Sequence, residues 1–157
     1  MPLIETARGV LNAAALATAA ESIPALLFGA EDLTAQIGVP RTIDGDELLF
    51  ARSQVVLAAT AAGADAIDAV FINIAAIDDL RRDALRARAL GFRGKMAIHP
   101  SQIPVIHDVF SPSPEELAHA QRIVDAFEQA GGEGVIRLDD RMVDMPVVVR
   151  ARRLLGG

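Results

Sequence analysis

Two short apolar stretches near the start of the chain each stop abruptly at acidic residues, where a helical pattern begins. The first is Leu3-Ile4-Glu5, and the second is Ala25-Leu26-Leu27-Phe28, which leads through Gly29 and Ala30 to Asp32. This pattern is typical of a strand–helix (βα) unit of a parallel sheet, which carries its functional groups at the carboxyl ends of the strands. We therefore expect Glu5 and Asp32 to lie side by side at the same end of two neighbouring strands.

The same alternation continues for four βα units over residues 1–133, which we take as one domain. The predicted strands are Pro2–Glu5, Ala25–Gly29, Ala69–Ile74 and Lys95–Ile98. The third is a continuous apolar run, as expected of a strand that is covered on both faces. The predicted helices lie over residues 10–20, 44–63, 78–90 and 113–131, and residues 31–42 are predicted to form a long loop. These elements predict an α/β fold.

Local signals mark the beginning of two of these helices. Ser113-Pro114-Glu115-Glu116 combines a capping serine, a proline at the first helical position and a glutamate at the third. Asp44 and Glu47 have the spacing of a capping box. The residues predicted to face inward from the last helix are Leu117, Ala120, Val124 and Phe127.

Residues 134–157 depart from the βα repeat and are predicted to form a C-terminal arm. Residues 135–138 have the pattern of an extended segment, Asp139-Asp140 that of a turn, and Met145–Leu155 that of a helix with Pro146 in its first turn. The predicted fold class is therefore four βα units, which amount to half of a (β/α)8 TIM barrel, followed by a C-terminal arm.

Half of such a barrel leaves one face of its sheet uncovered. The candidate barrel-facing side chains are Leu26, Val70, Ile72 and Met96. A closed barrel covers such residues by packing side chains from all eight strands. We therefore expect a homo-oligomer or pairing with an N-terminal half.

Composition excludes several classes of partner. The 157 residues carry 15 basic and 21 acidic side chains, a formal net charge of −6, which favours neither nucleic acid nor an anionic membrane as partner. The chain has no cysteine for a disulfide or thiolate metal site, and no apolar run long enough to span a membrane. Glu5 lies too near the start for a signal peptide, so a cytoplasmic location is expected.

The two strand-end carboxylates indicate a metal site. Mg²⁺ is a hard cation that proteins bind through one or two carboxylates together with water and substrate oxygens. We therefore predict that Glu5 and Asp32 bind Mg²⁺, although either carboxylate could instead cap the helix after it. Adjacent residues point apart, so Glu31 is predicted to form a salt bridge instead.

Several ordered motifs resemble the HpcH/HpaI aldolase and citrate lyase β-subunit-like family. They are Leu3-Ile4-Glu5-Thr6-Ala7-Arg8-Gly9, Phe28-Gly29-Ala30-Glu31-Asp32-Leu33, Gly91-Phe92-Arg93-Gly94-Lys95-Met96-Ala97-Ile98-His99-Pro100-Ser101-Gln102-Ile103, Phe110-Ser111-Pro112-Ser113 and Met142-Val143-Asp144-Met145-Pro146. The motifs span the whole chain. The resemblance implies a Mg²⁺-dependent enzyme that makes or breaks a carbon–carbon bond next to an acyl-CoA thioester.

The resemblance also implies that this chain matches the C-terminal half of a longer family member. The family's substrate-binding arginine, on an early strand, would then be absent, as would its acidic motif at the second barrel strand. Glu5 and Asp32 match the family's metal-binding pair. Asp144 matches an aspartate that reaches the active site of a neighbouring subunit; it is our candidate catalytic residue, and the same residue could cap the final helix.

Four residues are candidates to line the substrate: Gly9, Gly29, Ala30 and His99. Gly9 could equally begin a helix or let substrate approach the backbone, because it has no Cβ. For His99 we prefer a packing or cofactor-lining role over that of a catalytic base. Lys95 stands at the start of its predicted strand, the wrong end for Schiff-base chemistry.

The predicted function is a Mg²⁺-dependent lyase that cleaves a 3-hydroxyacyl-CoA such as citryl-CoA or malyl-CoA into an acyl-CoA and a keto acid. One alternative is a malyl-CoA thioesterase or malate synthase-type activity at the same metal site. Another is an inactive, truncated module that serves in assembly.

Overall fold

The structure is a computed structural model that describes residues 1–20 and 22–156. The chain divides into two compact units, Met1–Phe110 and Ser111–Gly157. The helix Pro114–Gln129, which follows the division, packs against the last helix, Met145–Leu154, and the strand Ile136–Leu138 of its own unit. The compact units meet at residues 110–111, whereas the sequence predicts a division after residue 133. That domain boundary stays a prediction.

The first unit is built on a four-stranded parallel sheet in the order β1-β2-β3-β4. The strands are β1 (Leu3–Ile4), β2 (Ala25–Phe28), β3 (Asp65–Asp68) and β4 (Gly94–Lys95). The helices are α1 (Ala7–Leu11), α2 (Ala13–Ala17), α3 (Ala30–Ile37), α4 (Leu49–Ala61), α5 (Ile77–Leu90) and α6 (Ile103–Phe110), with 3₁₀ turns at Asp46–Leu48 and Pro100–Gln102. The α/β fold with a parallel sheet is confirmed.

One face of the sheet is buried under helices and the other is less covered. Ile4 and Phe28 are neighbours in register, and both belong to the core cluster that includes buried residues of α4. Leu3, Leu27 and Ile67 form one row across the sheet. Leu3 is 45% exposed, and the other two are half-buried. Because side chains alternate between the faces of a strand, this row lies on the face opposite the helices.

The assignment of Leu26 to the barrel-facing side is wrong. Leu26 is fully buried in the helix-covered core, where it lies two residues before Phe28 on the same face. Of the other candidates, Ile72 is exposed, and Val70 and Met96 are half-buried.

The third strand lies earlier in the chain than predicted. The strand is Asp65–Asp68, and the apolar run Ala69–Ile74 that follows it is irregular. Pairing begins where the amide of Asp65 donates to the carbonyl oxygen of Pro24, 2.9 Å away. The prediction is wrong because apolar character peaks after the strand, whereas the strand itself contains a buried, ion-paired aspartate, Asp68.

Three further predictions, for a loop, a helix and a helix cap, also need correction. The predicted loop over residues 31–42 contains α3, and the predicted first helix is split into α1 and α2 at Asn12. The predicted Asp44–Glu47 capping box is absent: Glu47 instead accepts hydrogen bonds from the backbone amide and hydroxyl of Thr42, at 3.0 and 2.6 Å.

The structure of the second unit confirms most of the local predictions made from its sequence. Helix α7 (Pro114–Gln129) begins with the complete Ser113–Glu116 capping box. Strands β5 (Ile136–Leu138) and β6 (Arg141–Val143) form an antiparallel hairpin, and α8 (Met145–Leu154) follows. Asp139 and Asp140 make the predicted turn, with φ angles of 48° and 59°.

The core of this unit lies between α7, β6 and α8. It comprises Ala120, Ile123, Val124, Phe127, Val143, Val148 and Ala151. Leu117, which was predicted to face inward, is 36% exposed because it lies in the first turn of α7, ahead of the helix face that packs on α8. Within residues 1–20 and 22–156, no helix is both long and apolar enough to cross a membrane.

Candidate metal centre at the strand ends

Glu5 stands directly after β1, in the turn that leads into α1. The cap of α1 is Thr6, whose hydroxyl oxygen accepts a hydrogen bond of 3.0 Å from the amide of Gly9. The alternative that Glu5 caps this helix is therefore wrong. A Cβ on Gly9 would come 3.1 Å from that hydroxyl oxygen, so Gly9 belongs to the cap itself.

Gly29 lies against the side chain of Glu5. The two residues are brought together because β1 and β2 pair in parallel, and the amide of Gly29 donates to the carbonyl oxygen of Ile4 at 2.9 Å. A Cβ on Gly29 would lie 2.5 Å from Cβ and 3.1 Å from Oε2 of Glu5. Such a contact is too close for any other residue, so the glycine leaves the space that the carboxylate occupies.

Asp32 is the third residue of α3, the helix that begins immediately after β2. Gly29 is the N-cap of this helix, and Ala30, its first residue, is buried in the core. The acidic residues in the first turn complement the positive end of the helix dipole. Parallel pairing therefore gives Glu5 and Asp32 neighbouring points of attachment, one after β1 and one after β2.

Glu31 has a different partner. Its Oε1 lies 2.6 Å from Nη1 of Arg41, which confirms the predicted salt bridge. Among the described residues, by contrast, the carboxylates of Glu5 and Asp32 have no hydrogen-bond or ion-pair partner. These two carboxylates are therefore available for a ligand.

This donor set fits a magnesium ion. No group of three or more His, Cys, Asp or Glu side chains that could hold a metal occurs in the described part of the chain. Two carboxylates with further positions left for water and substrate are what Mg²⁺ usually takes from proteins. The absence of a side chain at Gly29 leaves room for the Glu5 carboxylate at this end of the strands.

Asp144 is the N-cap of α8 in the second unit. Its Oδ1 accepts a hydrogen bond of 3.3 Å from the amide of Val147. The capping role is confirmed, and the catalytic role stays a prediction. The second carboxylate oxygen is not needed for the cap.

His99 has a local structural role. It is exposed, and its Nδ1 accepts from the amide of Ser101 at 3.2 Å and lies 2.8 Å from the hydroxyl oxygen of the same residue. His99 thus caps the 3₁₀ turn at Pro100–Gln102. When the ring is neutral, this acceptor role places its proton on Nε2. Its role as a substrate-lining residue stays a prediction.

Sequence reasoning missed a buried cluster of four charged residues. Arg52 of α4 donates from Nε and Nη2 to the two oxygens of Asp68, at 2.9 and 2.5 Å, and from Nη2 to Oδ1 of Asp83 on α5, at 2.8 Å. Nζ of Lys95 lies 2.7 Å from Oδ2 of Asp68 and 2.5 Å from Oδ2 of Asp83. The cluster is neutral and joins β3, β4, α4 and α5.

The position of Lys95 was predicted wrongly. Lys95 is the last residue of β4, not the first of its strand, and its side chain is fully buried. Its strand end therefore does not exclude Schiff-base chemistry, and the structure instead holds the ammonium group between the carboxylates of Asp68 and Asp83. A charged residue inside each of two otherwise apolar segments, Asp68 and Lys95, was the sequence signal for this cluster.

The cluster also sets the ionisation of Asp83. Burial alone would raise the pKa of this carboxyl, but the charges of Lys95 and then Arg52 oppose burial, and the pKa lies below its usual value. Asp83 is therefore ionised throughout the physiological range, which keeps the buried cluster balanced.

The chain is similar to several known proteins. The family described as HpcH/HpaI aldolase/citrate lyase matches residues 1–100. Citrate lyase subunit beta of Leuconostoc mesenteroides subsp. cremoris is 40% identical over 157 residues, which cover 99% of this chain and 52% of that protein. Mitochondrial citramalyl-CoA lyase of Rattus norvegicus is 36% identical over 165 residues, which cover 99% of this chain and 49% of that protein.

Solved structures are also similar. CitE from Mycobacterium tuberculosis in complex with magnesium, acetoacetate and coenzyme A has a TM-score of 0.84 and 40% identity, covering 98% of this chain and 58% of that one. A citrate lyase from Burkholderia xenovorans LB400 has a TM-score of 0.86 and 27% identity, covering 98% and 51%. The chain spans about half the length of the curated relatives that it matches. With the family match over residues 1–100, these likenesses identify the chain as a member of the HpcH/HpaI aldolase/citrate lyase family.

Proposed function

We propose that this chain carries the magnesium-binding part of a carbon–carbon lyase that acts on a 3-hydroxyacyl-CoA. The observation that supports this most directly is the pair of carboxylates without partners, Glu5 after β1 and Asp32 in α3, with Gly29 leaving space at Glu5. The similar CitE structure contains magnesium and coenzyme A, and the similar proteins include citrate lyase subunit beta and citramalyl-CoA lyase.

The proposal includes half of a (β/α)8 barrel as the architecture. The strand order β1-β2-β3-β4 with helices on one face is what four consecutive units of such a barrel would have. The less covered row of Leu3, Leu27 and Ile67 would then face the interior of the barrel. A second copy or an N-terminal half would supply the remaining strands.

The reaction breaks the bond between the hydroxyl-bearing carbon and the carbon next to the thioester. The hydroxyl group loses its proton, the carbon–carbon bond breaks, and the electron pair passes to the thioester enolate, which then takes up a proton at carbon. When bound, Mg²⁺ would supply Lewis-acid stabilisation of the charge that develops on the substrate's oxygen. Glu5 and Asp32 would hold the ion and balance its charge.

Asp144 is the proposed group for moving a proton. Since one carboxylate oxygen accepts from Val147 in the helix cap, the other can exchange a proton with substrate without loss of the cap. In this proposal Asp144 acts in a neighbouring subunit. Gly9, Gly29 and His99 would line the substrate, and the backbone of buried Ala30 would lie beside it.

A second candidate is a metal-binding module that is inactive by itself. This is favoured by the less covered face of the sheet, on which Leu3 is 45% exposed, because a module of a larger assembly presents such a face to its partner. A thioesterase or malate synthase-type activity would use the same carboxylates, so only product analysis distinguishes it from the lyase.

The test is Mg²⁺-dependent turnover by the purified chain. We expect citryl-CoA or malyl-CoA to yield acyl-CoA and a keto acid with Mg²⁺, and neither product with a chelator. Free CoA without keto acid would indicate thioester hydrolysis instead. Turnover that is unaffected by chelation would overturn the proposal, and binding of Mg²⁺ without turnover would favour the inactive module.

The metal ligands are tested by calorimetry on the same preparation. Asp32→Ala should abolish Mg²⁺ binding, because one carboxylate and water hold this ion poorly. Asp44→Ala is the matched control, since Asp44 is also an exposed aspartate of the first unit but lies in the segment between α3 and the first 3₁₀ turn. Equal Mg²⁺ affinity in the wild type and Asp32→Ala would show that the site is assigned wrongly.

A further inference from the structure

Arg41 connects the first turn of α3 to the segment that follows β3. Its Nη1 donates to Oε1 of Glu31 at 2.6 Å and to the carbonyl oxygen of Val70 at 3.2 Å. The side chain of Arg41 is only 15% exposed. A guanidinium group that is largely withdrawn from water and bonded to two separate elements is held in one orientation.

The first turn of α3 has no side-chain N-cap. Its N-cap is Gly29, which has no side chain to accept from the amides of the turn, whereas α1 and α7 are capped by Thr6 and Ser113. Within the helix, the hydroxyl of Thr34 donates to carbonyl oxygens of the first turn. Arg41 therefore supplies a bridge from this turn to another element of the unit.

Asp32 directly follows Glu31 in this turn. Any rotation or fraying of the turn moves both residues together, because they share one backbone segment. Holding Glu31 against Arg41 therefore also holds the backbone from which the Asp32 carboxylate extends. The same bond keeps Glu31 occupied, so that it is not available as a third carboxylate ligand.

We propose that Arg41 is a positioning residue for the divalent cation site, acting through Glu31 on the orientation of Asp32. This inference rests on the proposed Mg²⁺ site of Glu5 and Asp32. The class of ligand concerned is a hard divalent cation, and Arg41 does not contact it.

The sign of the effect separates positioning from electrostatics. A guanidinium group near a cation repels it, so that removing the charge of Arg41 would strengthen Mg²⁺ binding if charge alone mattered. Loss of the bridge has the opposite effect, since a mobile first turn must be ordered again when the ion binds. Residues that orient metal ligands typically change affinity about 10–100-fold when replaced.

The experiment is Mg²⁺ titration of the full chain by calorimetry. We expect Arg41→Met to weaken Mg²⁺ binding about tenfold, while the melting temperature without metal shows that the chain remains folded. The Mg²⁺ affinity of Arg41→Lys should lie between those of the wild type and Arg41→Met, because lysine keeps the charge and a donor but not the planar guanidinium group. Arg81→Met is the control: Arg81 pairs with exposed Asp108 at 2.5 Å, a contact between α5 and α6, and should leave affinity unchanged.

Each outcome decides a different point. Equal or tighter Mg²⁺ binding by Arg41→Met overturns the positioning role, whereas a wild-type chain that binds no Mg²⁺ overturns the proposed metal site itself. If Arg41→Met does not fold, Arg41→Lys decides instead. Because that variant has the charge of the wild type, weaker binding supports positioning, and unchanged or tighter binding overturns it.

Discussion

Gly29 and Glu5 are in such close contact that any side chain at position 29 would collide with the glutamate. The collision would involve Cβ of Glu5, at 2.5 Å from a Cβ on Gly29, and the carboxylate oxygen Oε2, at 3.1 Å. Because Cβ is bonded directly to the backbone, it cannot move aside by rotation of the side chain. The absence of a side chain at position 29 thus determines where the Glu5 carboxylate lies.

Gly29→Ala should therefore affect stability and metal binding together. We expect a loss of about 1–3 kcal/mol in the free energy of unfolding, as for overpacked sites, and weaker Mg²⁺ binding. Urea denaturation and calorimetry measure the two effects. Gly94→Ala is the control, because its Cβ would meet only the end of the Ile67 side chain, at 3.4 Å. Unchanged Mg²⁺ affinity in Gly29→Ala would show that Glu5 is not a ligand.

Asp144 allows the structural and catalytic roles of one residue to be separated. Asp144→Asn should keep α8 and its stability, because asparagine caps helices as well as aspartate does, and should lose turnover. Asp144→Ala should lose turnover and also about 0.5–2 kcal/mol of stability. Circular dichroism on melting and a lyase assay measure these effects. Full activity of Asp144→Asn would leave only the cap observed at Val147.

The free energy of unfolding should depend on pH through Asp83. Its pKa in the folded chain is held below the ordinary value of about 3.8 by Lys95 and Arg52, in opposition to burial. Between the pKa of Asp83 in the folded chain and its higher pKa in the unfolded chain, the unfolded chain therefore binds more protons. The stability that Asp83 contributes is fully present at pH values above its pKa in the unfolded chain. We expect this contribution to be lost as pH falls below about 4. Urea denaturation from pH 3 to pH 7 checks the slope.

The matching substitution is Asp83→Asn. It leaves two buried cations facing one carboxylate, and we expect a loss of about 3–5 kcal/mol at pH 7 together with a shallower dependence on pH below about 4. Asp108→Asn, which removes a 64% exposed carboxylate from its pair with Arg81, should cost less than about 1 kcal/mol. Equal stability of Asp83→Asn and the wild type would contradict the importance of the cluster.

The less covered face of the sheet predicts association. Leu3 is 45% exposed and shares a row with half-buried Leu27 and Ile67. Each large apolar side chain left in water forfeits about 1.5–3 kcal/mol of the burial energy available to it. We expect the purified chain to be a dimer or larger assembly, or to bind hydrophobic dyes as a partly molten monomer. Light scattering and thermal melting test this; a compact monomer with a sharp, concentration-independent transition would exclude the half-barrel proposal.

Features that depend on local chemistry could be predicted from the sequence. The Ser113 capping box, the turn at Asp139-Asp140 and the start of α8 at Asp144 each follow from a few adjacent residues. The proximity of Glu5 to Gly29 could also be expected, because parallel register aligns the ends of β1 and β2.

Features that depend on distant partners could not be predicted in this way. Strand β3 was misplaced because Asp68 is tolerated inside it only through Arg52 and Lys95, which the apolar pattern of residues 69–74 does not reveal. The bridge from Arg41 to Val70 likewise requires the path of the chain after α3. In the first case buried ion pairs, and in the second a hydrogen bond from a guanidinium group to a backbone carbonyl, determine the structure, and neither follows from periodicity.

The buried cluster also limits the routes by which this sequence can evolve. Replacing any one of its four residues by a neutral one leaves a buried charge that no opposite charge balances. Removing one residue of each sign, such as Asp83 and Lys95, leaves Arg52 and Asp68 as a neutral pair. Buried ion pairs replaced together by apolar residues often cost little. We expect Asp83→Leu with Lys95→Met to be more stable than either single variant on denaturation; additive losses would contradict this. These positions would then change in concert across a lineage, because every single intermediate is a less stable protein.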